Sequence, residues 1–297
     1  MKQYTSKLLL FGEHIIIKGA PALAIPFSHY NGSWQYASEN SEALQMDLPQ
    51  FVNYLEKLQS ENKLFCELDI FSFKKELEKG LHFQSDIPTG YGAGSSGALC
   101  TAVYDLFGKN KLGKNEANLL ALKKIFAQLE SYFHGSSSGT DPLVCYAEQP
   151  LLLVSKEEIK IVQVPDLESH DLFLLDTRMP RKTGPLVNIF LEKSKEEYYM
   201  ARTTSELIPD TEDAIDNFLN GNEKALFEKM HSISHFQFKY FQEMIPNAFR
   251  EIWLDGLSSD LYKLKLCGAG GGGFFLGITK DLEQTKKLIK EYELIKI

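Results

Sequence analysis

Little in this 297-residue sequence would tie it to thiol chemistry, membranes or nucleic acid. Its four cysteines, Cys66, Cys100, Cys145 and Cys267, nowhere approach a Cys-x-x-Cys spacing. That argues against a thiolate metal cluster or a redox pair, and the four are expected as buried free thiols in a reducing compartment. Basic charge is also short. Lys and Arg number 32 against 40 Asp and Glu, the formal net charge is −8, and there is no polybasic run. Nucleic acid and membrane surfaces are therefore not expected as partners. No stretch approaches the roughly 18 apolar residues of a membrane span. The opening MKQYTSKLLLFGEHIII sets lysines before an apolar run, but Gly12, Glu13 and His14 interrupt it and no small-residue cleavage site follows. No secretory signal is expected, and the expected location is cytoplasmic. Internal repeats and low-complexity segments are missing too.

What is present is a 43% hydrophobic chain, long enough for two domains or one large one. SKLLLFGEHIIIKG reads as two strands joined at Gly12–His14, and GLHFQSDIP as a further strand. Leu119, Leu122, Phe126, Leu129 and Phe133 recur at helical spacing, which predicts an amphipathic helix over Asn115–Phe133. HGSSSGTDP breaks that helix, and VCYAEQPLLLV with IKIVQV reads as a hairpin. A second block opens on the buried strand DLFLLDT and continues through helical patterns over Phe190–Leu207, Thr211–Leu219 and Asn222–Phe249. It ends on LKLCG, GFFLGIT, a lysine-rich helix from Leu282, and YELIKI. The order β-α-α-β-β-α-β is that of a split βαβ, ferredoxin-like unit with an extra helix. A linker is expected near Pro165 to His170. The fold class is then α+β, with domains at 1–168 and 169–297.

TGYGAGSSGAL, Thr89 to Leu99, is the most conspicuous loop, followed by a helix over Ala98–Phe107. Gly92-x-Gly94-x-x-Gly97 matches a dinucleotide fingerprint, but the acid at the required distance, Glu116, opens a helix. No Gly-Lys-Ser/Thr makes it a Walker A loop, and no HRD or DFG triplet occurs. Glycines remove Cβ atoms so that backbone N–H groups can converge on an anion. A helix starting at Ser95–Ser96 adds its unpaired donors and positive dipole end. The serine hydroxyls can cap the helix or ligate magnesium, so the residues alone leave a phosphate site and a serine-capped turn both open. The run GAGGGG, Gly268 to Gly273, signals close approach of a backbone or ligand, or else a loose hairpin tip. HSISH offers His231 and His235 at i, i+4 without the glutamate of a zinc-protease motif, so helix packing or surface exposure is expected of them.

Three stretches together, SKLLLFGEHIIIKGAPALAIP, PTGYGAGSSGAL and CGAGGGGFF, resemble the motifs of the GHMP kinases, in order and across nearly the whole chain. The resemblance implies a two-domain fold, a ribosomal S5 domain 2-like N-terminal domain that binds nucleotide and a ferredoxin-like C-terminal domain. Within that superfamily the sequence is most similar to the mevalonate kinase family. Gly12-Glu13-His14 matches its first motif, and Glu130 is followed by HGSSSGTD, with Asp141 eleven positions on. DTRMPRKTGPLV resembles the family's segment bearing an arginine and a substrate-side threonine. Thr5-Ser6, Ala93 and Ser137 depart from the usual Pro-Gly, leucine and proline.

The resemblance implies an ATP-dependent kinase that uses ATP and Mg2+ and passes the γ-phosphate to a small-molecule alcohol. Mevalonate, in isoprenoid synthesis, is the first acceptor. Phosphomevalonate, homoserine or a sugar is the alternative, with Arg178, Arg181 and Lys182 near enough in sequence to meet a phosphorylated acceptor. A non-catalytic ligand-binding homologue is the remaining reading, and the retained Lys7, Glu130 and Asp141 argue against it. By resemblance, Gly90, Gly92, Ala93, Gly94, Ser95, Ser96 and Gly97 hold the nucleotide. Ser96 and Glu130 hold the metal, with Ser95 the alternate. Asp141 draws the acceptor's proton and Lys7 stabilises the charge moving onto the γ-phosphate. Glu13, His14, Ser138, Gly139, Thr183, Gly270 and Gly271 face the acceptor. Taken singly, Glu130 reads as a solvated helix-end acid, Asp141 as a turn residue before Pro142, Lys7 as a strand-flanking lysine, and His14 as a core-edge histidine bonded to backbone. A monomer or homodimer is expected.

Overall fold

The computed structural model describes residues 2–37, 47–166 and 171–297. The chain divides into two compact units, Met1–Lys7, Ile25–Pro88 and Ala93–Gln149 in the first, and Leu8–Ala24, Thr89–Gly92 and Pro150–Ile297 in the second. The glycine-rich loop is thus split after Gly92. Strands β1 (Gln3–Phe11) and β2 (Ala22–Tyr36) also change units within their length. The expected boundary at 168/169, with the end of the expected linker, lies outside the described residues.

In the first unit β2 pairs antiparallel with β4 (Leu81–Ser85), setting Trp34 opposite Phe83. Trp34 meets Phe73, Phe83 and Phe107 edge-on, an aromatic core favoured by ring quadrupoles as well as by area. Helices α1 (Leu48–Ser60) and α2 (Ile70–Glu78) begin at aspartates: Asp47 accepts from Gln50 N–H and Asp69 from Ser72 N–H. A two-stranded ribbon joins β3 (Glu67–Leu68) to β5 (Gly108–Lys109). Helix α3 (Ser95–Phe107) is apolar nearly all round and correspondingly buried from Gly97 to Tyr104. It packs with α4 (Glu116–His134) and α5 (Thr140–Ala147). Leu119, Leu122, Phe126 and Leu129 are buried as their spacing predicts.

In the second unit β6 (Leu151–Leu153) pairs antiparallel with Ala22–Ala24 and with β7 (Ile159–Ile161). Strands β8 (Leu172–Asp176), β9 (Tyr262–Leu266), β10 (Phe274–Thr279) and β11 (Glu293–Lys296) form an antiparallel sheet in the order β11-β8-β10-β9. Helix α11 (Leu282–Leu288) precedes the last strand. This is the ferredoxin-like strand arrangement the sequence implies. Between β8 and β9 the insertion exceeds the one extra helix expected. It holds α6 (Thr183–Lys193), α7 (Glu197–Arg202), a π-helical turn (Thr203–Leu207), α8 (Ile208–Leu219), α9 (Glu223–Tyr240) and α10 (Arg250–Ser258).

Local expectations need correction at three places. Ile15–Lys18 is a 3-10 turn and not a strand. Gly12, His14 and Gly19 all have positive φ, and a Cβ on Gly12 would lie 2.4 Å from Ala22 Cβ, so the chain doubles back before a strand can run. Val144–Ala147 belongs to α5 and not to a hairpin. Asp141 and Pro142 sit in the first turn of that helix, where proline's missing N–H costs nothing.

Candidate active site

In the first unit, β1 delivers Lys7 to a buried position, and its backbone N–H donates to Ala93 C=O at 3.0 Å. The ammonium lies 2.8 Å from Asp141 Oδ1. Gly94, at φ +84°, leaves room for that side chain; a Cβ there would stand 3.0 Å from Lys7 Cγ. Gly94 is also the N-cap of α3, and no side chain caps the helix. The serine-capped turn is thereby excluded. The first-turn N–H groups of Ser95, Ser96 and Gly97 have no intrahelical acceptor and stand at the positive end of the helix dipole. Gly97 is the contact with α5, since a Cβ on it would lie 2.9 Å from Pro142 N and 3.0 Å from Asp141 C.

Glu130, in the last turn of α4, is buried and is no solvated helix-end acid. Its Oε1 accepts from the Ser96 hydroxyl at 2.9 Å, and its Oε2 from the Ser137 hydroxyl. Ser137 Oγ accepts in turn from Gly139 N–H at 2.9 Å. His134 Nε2 lies 2.9 Å from Ser96 Oγ. Because the Ser96 proton goes to Glu130, the imidazole is assigned as the donor in that contact. Burial pushes the Glu130 carboxyl up to about 7, with the nearby Asp141 charge adding to it; the two serine bonds and Lys7 pull the other way. Ser138 is exposed, its Oγ 3.1 Å from Thr140 Oγ1. Gly139, the α5 N-cap, passes so close to α4 that a Cβ would fall 2.1 Å from Lys123 C=O.

The second unit holds a different cluster. Glu13 and His14 follow β1 in a γ-turn centred on His14 (φ 64°, ψ −49°), closed by Ile15 N–H to Glu13 C=O at 2.8 Å. A non-glycine residue held there costs on the order of 1–3 kcal/mol. His14 Nε2 lies 3.1 Å from Ala269 C=O, and the ring sits between Phe190 and Phe241. Burial drives its pKa down to about 4, and Arg181 adds to the fall, against the bond to Ala269. The neutral ring must donate through Nε2, so Nδ1 is a bare acceptor; it is buried and has no partner. Glu13 Oε1 meets Lys265 Nζ at 2.7 Å and Gln237 Nε2 at 2.5 Å, whereas Oε2 is buried without a partner.

Arg181 N–H donates to Gly90 C=O at 2.9 Å, and its guanidinium reaches Thr183 Oγ1 at 3.1 Å and Cys267 C=O at 3.5 Å. A Cβ on Gly92 would lie 2.3 Å from Arg181 Nη2. The Gly268–Gly273 run is packed and not a loose tip. Gly271 N–H donates to Met244 C=O at 2.6 Å, Gly273 N–H to Met179 C=O at 2.8 Å, and Gly273 C=O accepts from Thr177. Backbone approaches it at Gly270, Gly272 and Gly273, and the side chains of Arg181 and Leu186 approach it at Gly268 and Gly271.

The structure thus gathers Lys7, Ser96, Glu130 and Asp141 in one unit, and Glu13, His14, Gly270 and Gly271 lie in the other, as does Thr183. Sequence reasoning missed His134 and Ser137, both inside the quoted HGSSSGTD, and also Lys265 and Gln237. His231 and His235 lie on α9, and a cleft of about 810 Å³ beside His231 is lined by none of the expected site residues. Among the described residues, no group of three or more His, Cys, Asp or Glu could hold a metal ion, and no helix is long and apolar enough to cross a membrane. None of the four cysteines is in a disulfide; Cys66 is half-buried and the others are buried.

Residues 53–149 match the family described as GHMP kinases N terminal domain. Along 93% of its length the chain is 23% identical to a mevalonate kinase of Dictyostelium discoideum, of which the match covers 86%. Its fold is shared with a Streptococcus pneumoniae phosphomevalonate kinase solved with phosphomevalonate and AMPPNP, at a TM-score of 0.65 and 15% identity over 99% of this chain and 97% of that one. It is shared too with a Lactococcus lactis galactokinase complexed with galactose, at a TM-score of 0.65 and 16% identity over 99% and 92%. These matches bear out the resemblance read from the three motifs.

Proposed function

We propose that this chain, which carries the GHMP kinase N-terminal domain, transfers the γ-phosphate of ATP to a hydroxyl of a small molecule, with mevalonate as the favoured acceptor. The observation that carries the reading is the Lys7–Asp141 ion pair, 2.8 Å long, packed through Gly97 against the uncapped start of α3. In the proposed step the Asp141 carboxylate takes the acceptor's hydroxyl proton, that oxygen bonds the γ-phosphorus, and the bond to the β,γ-bridging oxygen breaks to release ADP. The Lys7 ammonium stabilises charge on the transferring group, and the open N–H groups of Ser95, Ser96 and Gly97 receive the phosphates, with Gly90, Gly92, Ala93 and Gly94 shaping the loop.

Ser96 and Glu130 fit magnesium, because a hydroxyl and a buried carboxylate are hard oxygen donors and this ion takes few of them beside phosphates and water. The ion would neutralise phosphate charge there. Glu13, His14, Thr183, Gly270 and Gly271, with Ser138 and Gly139, are assigned to the acceptor by their motifs. The relatives act on or bind different acceptors by name, so the test is a comparison. ATP consumption is measured with mevalonate, phosphomevalonate, homoserine and galactose, alongside hydrogen exchange of Gly90–Gly97 with and without AMPPNP and magnesium. Turnover with mevalonate and slowed exchange in the loop are expected. Unchanged exchange at saturating nucleotide, with no turnover on any acceptor, overturns the proposal.

A further inference from the structure

Strand β9 reads Tyr-Lys-Leu-Lys-Leu, and all five residues are buried, including Lys263 and Lys265 on the same face. A buried ammonium needs its three protons placed. Lys263 places its own on the carbonyls of Gly256, Leu257 and Ser259 at the end of α10, where a helix terminus favours a cation. That is a complete structural account. Lys265 is different. Two of its bonds go to Leu10 C=O (2.9 Å) and Leu266 C=O (2.7 Å), and the third to Glu13 Oε1 (2.7 Å). Gln237, on α9, is engaged at both amide atoms: its Oε1 accepts from Leu266 N–H at 2.8 Å while its Nε2 donates to the same Glu13 oxygen. Two donors therefore converge on Oε1, and Oε2 of the same carboxylate is buried and bare.

We propose that Lys265 and Gln237 are positioning residues for acceptor recognition, clamping Glu13 by Oε1 so that Oε2 is presented to a hydroxyl of the acceptor. The inference rests on the kinase reading above. A bare carboxylate oxygen can only accept, and a phosphate oxyanion has no proton to give it. Glu13 therefore selects a protonated hydroxyl and rejects a phosphate at this position. Lys265 neutralises the carboxylate, and removing it leaves a buried charge without its partner.

The test compares Lys265→Met, Lys263→Met, Glu13→Gln and the pair Glu13→Gln/Lys265→Met in the full chain, by steady-state kinetics on both substrates and by thermal melting. Lys265→Met is expected to lower kcat/KM for the acceptor by roughly 100-fold while KM for ATP stays within about twofold. Lys263→Met is expected to lower the melting temperature and leave acceptor kinetics alone. The double variant should be no worse than Glu13→Gln, because both changes act through one carboxylate. Should Lys265→Met not fold, the uncharged double still decides, since a further loss beyond Glu13→Gln overturns the assignment. Acceptor kinetics in Lys265→Met that match those of Lys263→Met overturn it too. A native chain that transfers phosphate to no acceptor overturns the kinase reading and this one with it; an active native chain with an indifferent Lys265→Met overturns this one alone.

Discussion

The two polar clusters differ in how much of their chemistry is already satisfied. In the first unit Lys7 holds Asp141, and Ser96 and Ser137 hold both oxygens of Glu130. In the second, Glu13 Oε2 and His14 Nδ1 are buried acceptors with nothing to accept from, beside a strained γ-turn. A cluster bonded within itself must exchange partners to take a ligand, so ligand binding there trades one set of bonds for another. A cluster with bare acceptors carries on the order of 1–3 kcal/mol of desolvation cost per atom until a donor arrives. The first arrangement suits an ion and phosphates, the second a molecule carrying hydroxyl groups.

The largest effect is expected of Asp141→Asn. The near-isosteric amide should leave α5 folded but removes the charge proposed to draw the acceptor's proton, so turnover should fall roughly 10²–10⁴-fold. ATP binding by calorimetry should change little. A variant keeping more than about a tenth of native turnover would contradict an effect of that size.

Glu130→Gln comes next. It keeps a polar side chain for Ser96 and Ser137 but offers a hard cation a neutral amide. The magnesium needed for half-maximal activity should rise by roughly 10–100-fold, with nucleotide affinity in the absence of metal unchanged. A native-like magnesium titration would reduce Glu130 to a buried helix-end acid.

The third effect concerns the second cluster and pH. The folded-state pKa of His14 is lowered to about 4, so between 6.5 and 4 the unfolded chain takes a proton that the folded one refuses. Stability is unaffected above that window and falls as pH drops through it, by about 2 kcal/mol at pH 5, or about thirtyfold in the unfolding constant. His14→Gln should flatten this slope in denaturant titrations at pH 7 and pH 5. Equal slopes in both proteins would mean that the ring is not buried in its neutral form.

The sequence declares one cluster better than the other. Lys7, Ser96, Glu130 and Asp141 stand in the motifs that carry the family resemblance, and α3 and α4 fall where glycine punctuation and helical periodicity put them. What spacing cannot show is which partner a hydroxyl chooses. Ser96 caps nothing and bonds Glu130 34 residues away, a choice made by the packing of α3 on α4. The alternation Lys263-Leu264-Lys265-Leu266 reads as a half-solvated strand; α9 and α10 cover it, so both lysines are buried and Lys265 becomes a partner for Glu13. Ile15–Ile17 has strand composition, and positive φ at Gly12, His14 and Gly19 overrides it.

The smallest expected effect tests how finely the first cluster is tuned. Ser137 replaces the proline usual at this point of the motif, and its hydroxyl is used twice, donating to Glu130 Oε2 and accepting from Gly139 N–H. Ser137→Ala removes both bonds without adding bulk. The carboxylate keeps Ser96 on its other oxygen, so the metal position should survive with a looser orientation. A net loss of about 1 kcal/mol through the bond to Glu130, the one of the two that bears on the metal, corresponds to about a fivefold rise in the magnesium requirement. Asp141 and Lys7 are untouched, so turnover at saturating magnesium should stay within about twofold. The measurement is a magnesium titration of activity beside manganese binding followed by electron paramagnetic resonance, which reads the site without turnover. Unchanged affinity in both would show that Ser137 only closes its own loop, and that Ser96 alone orients Glu130.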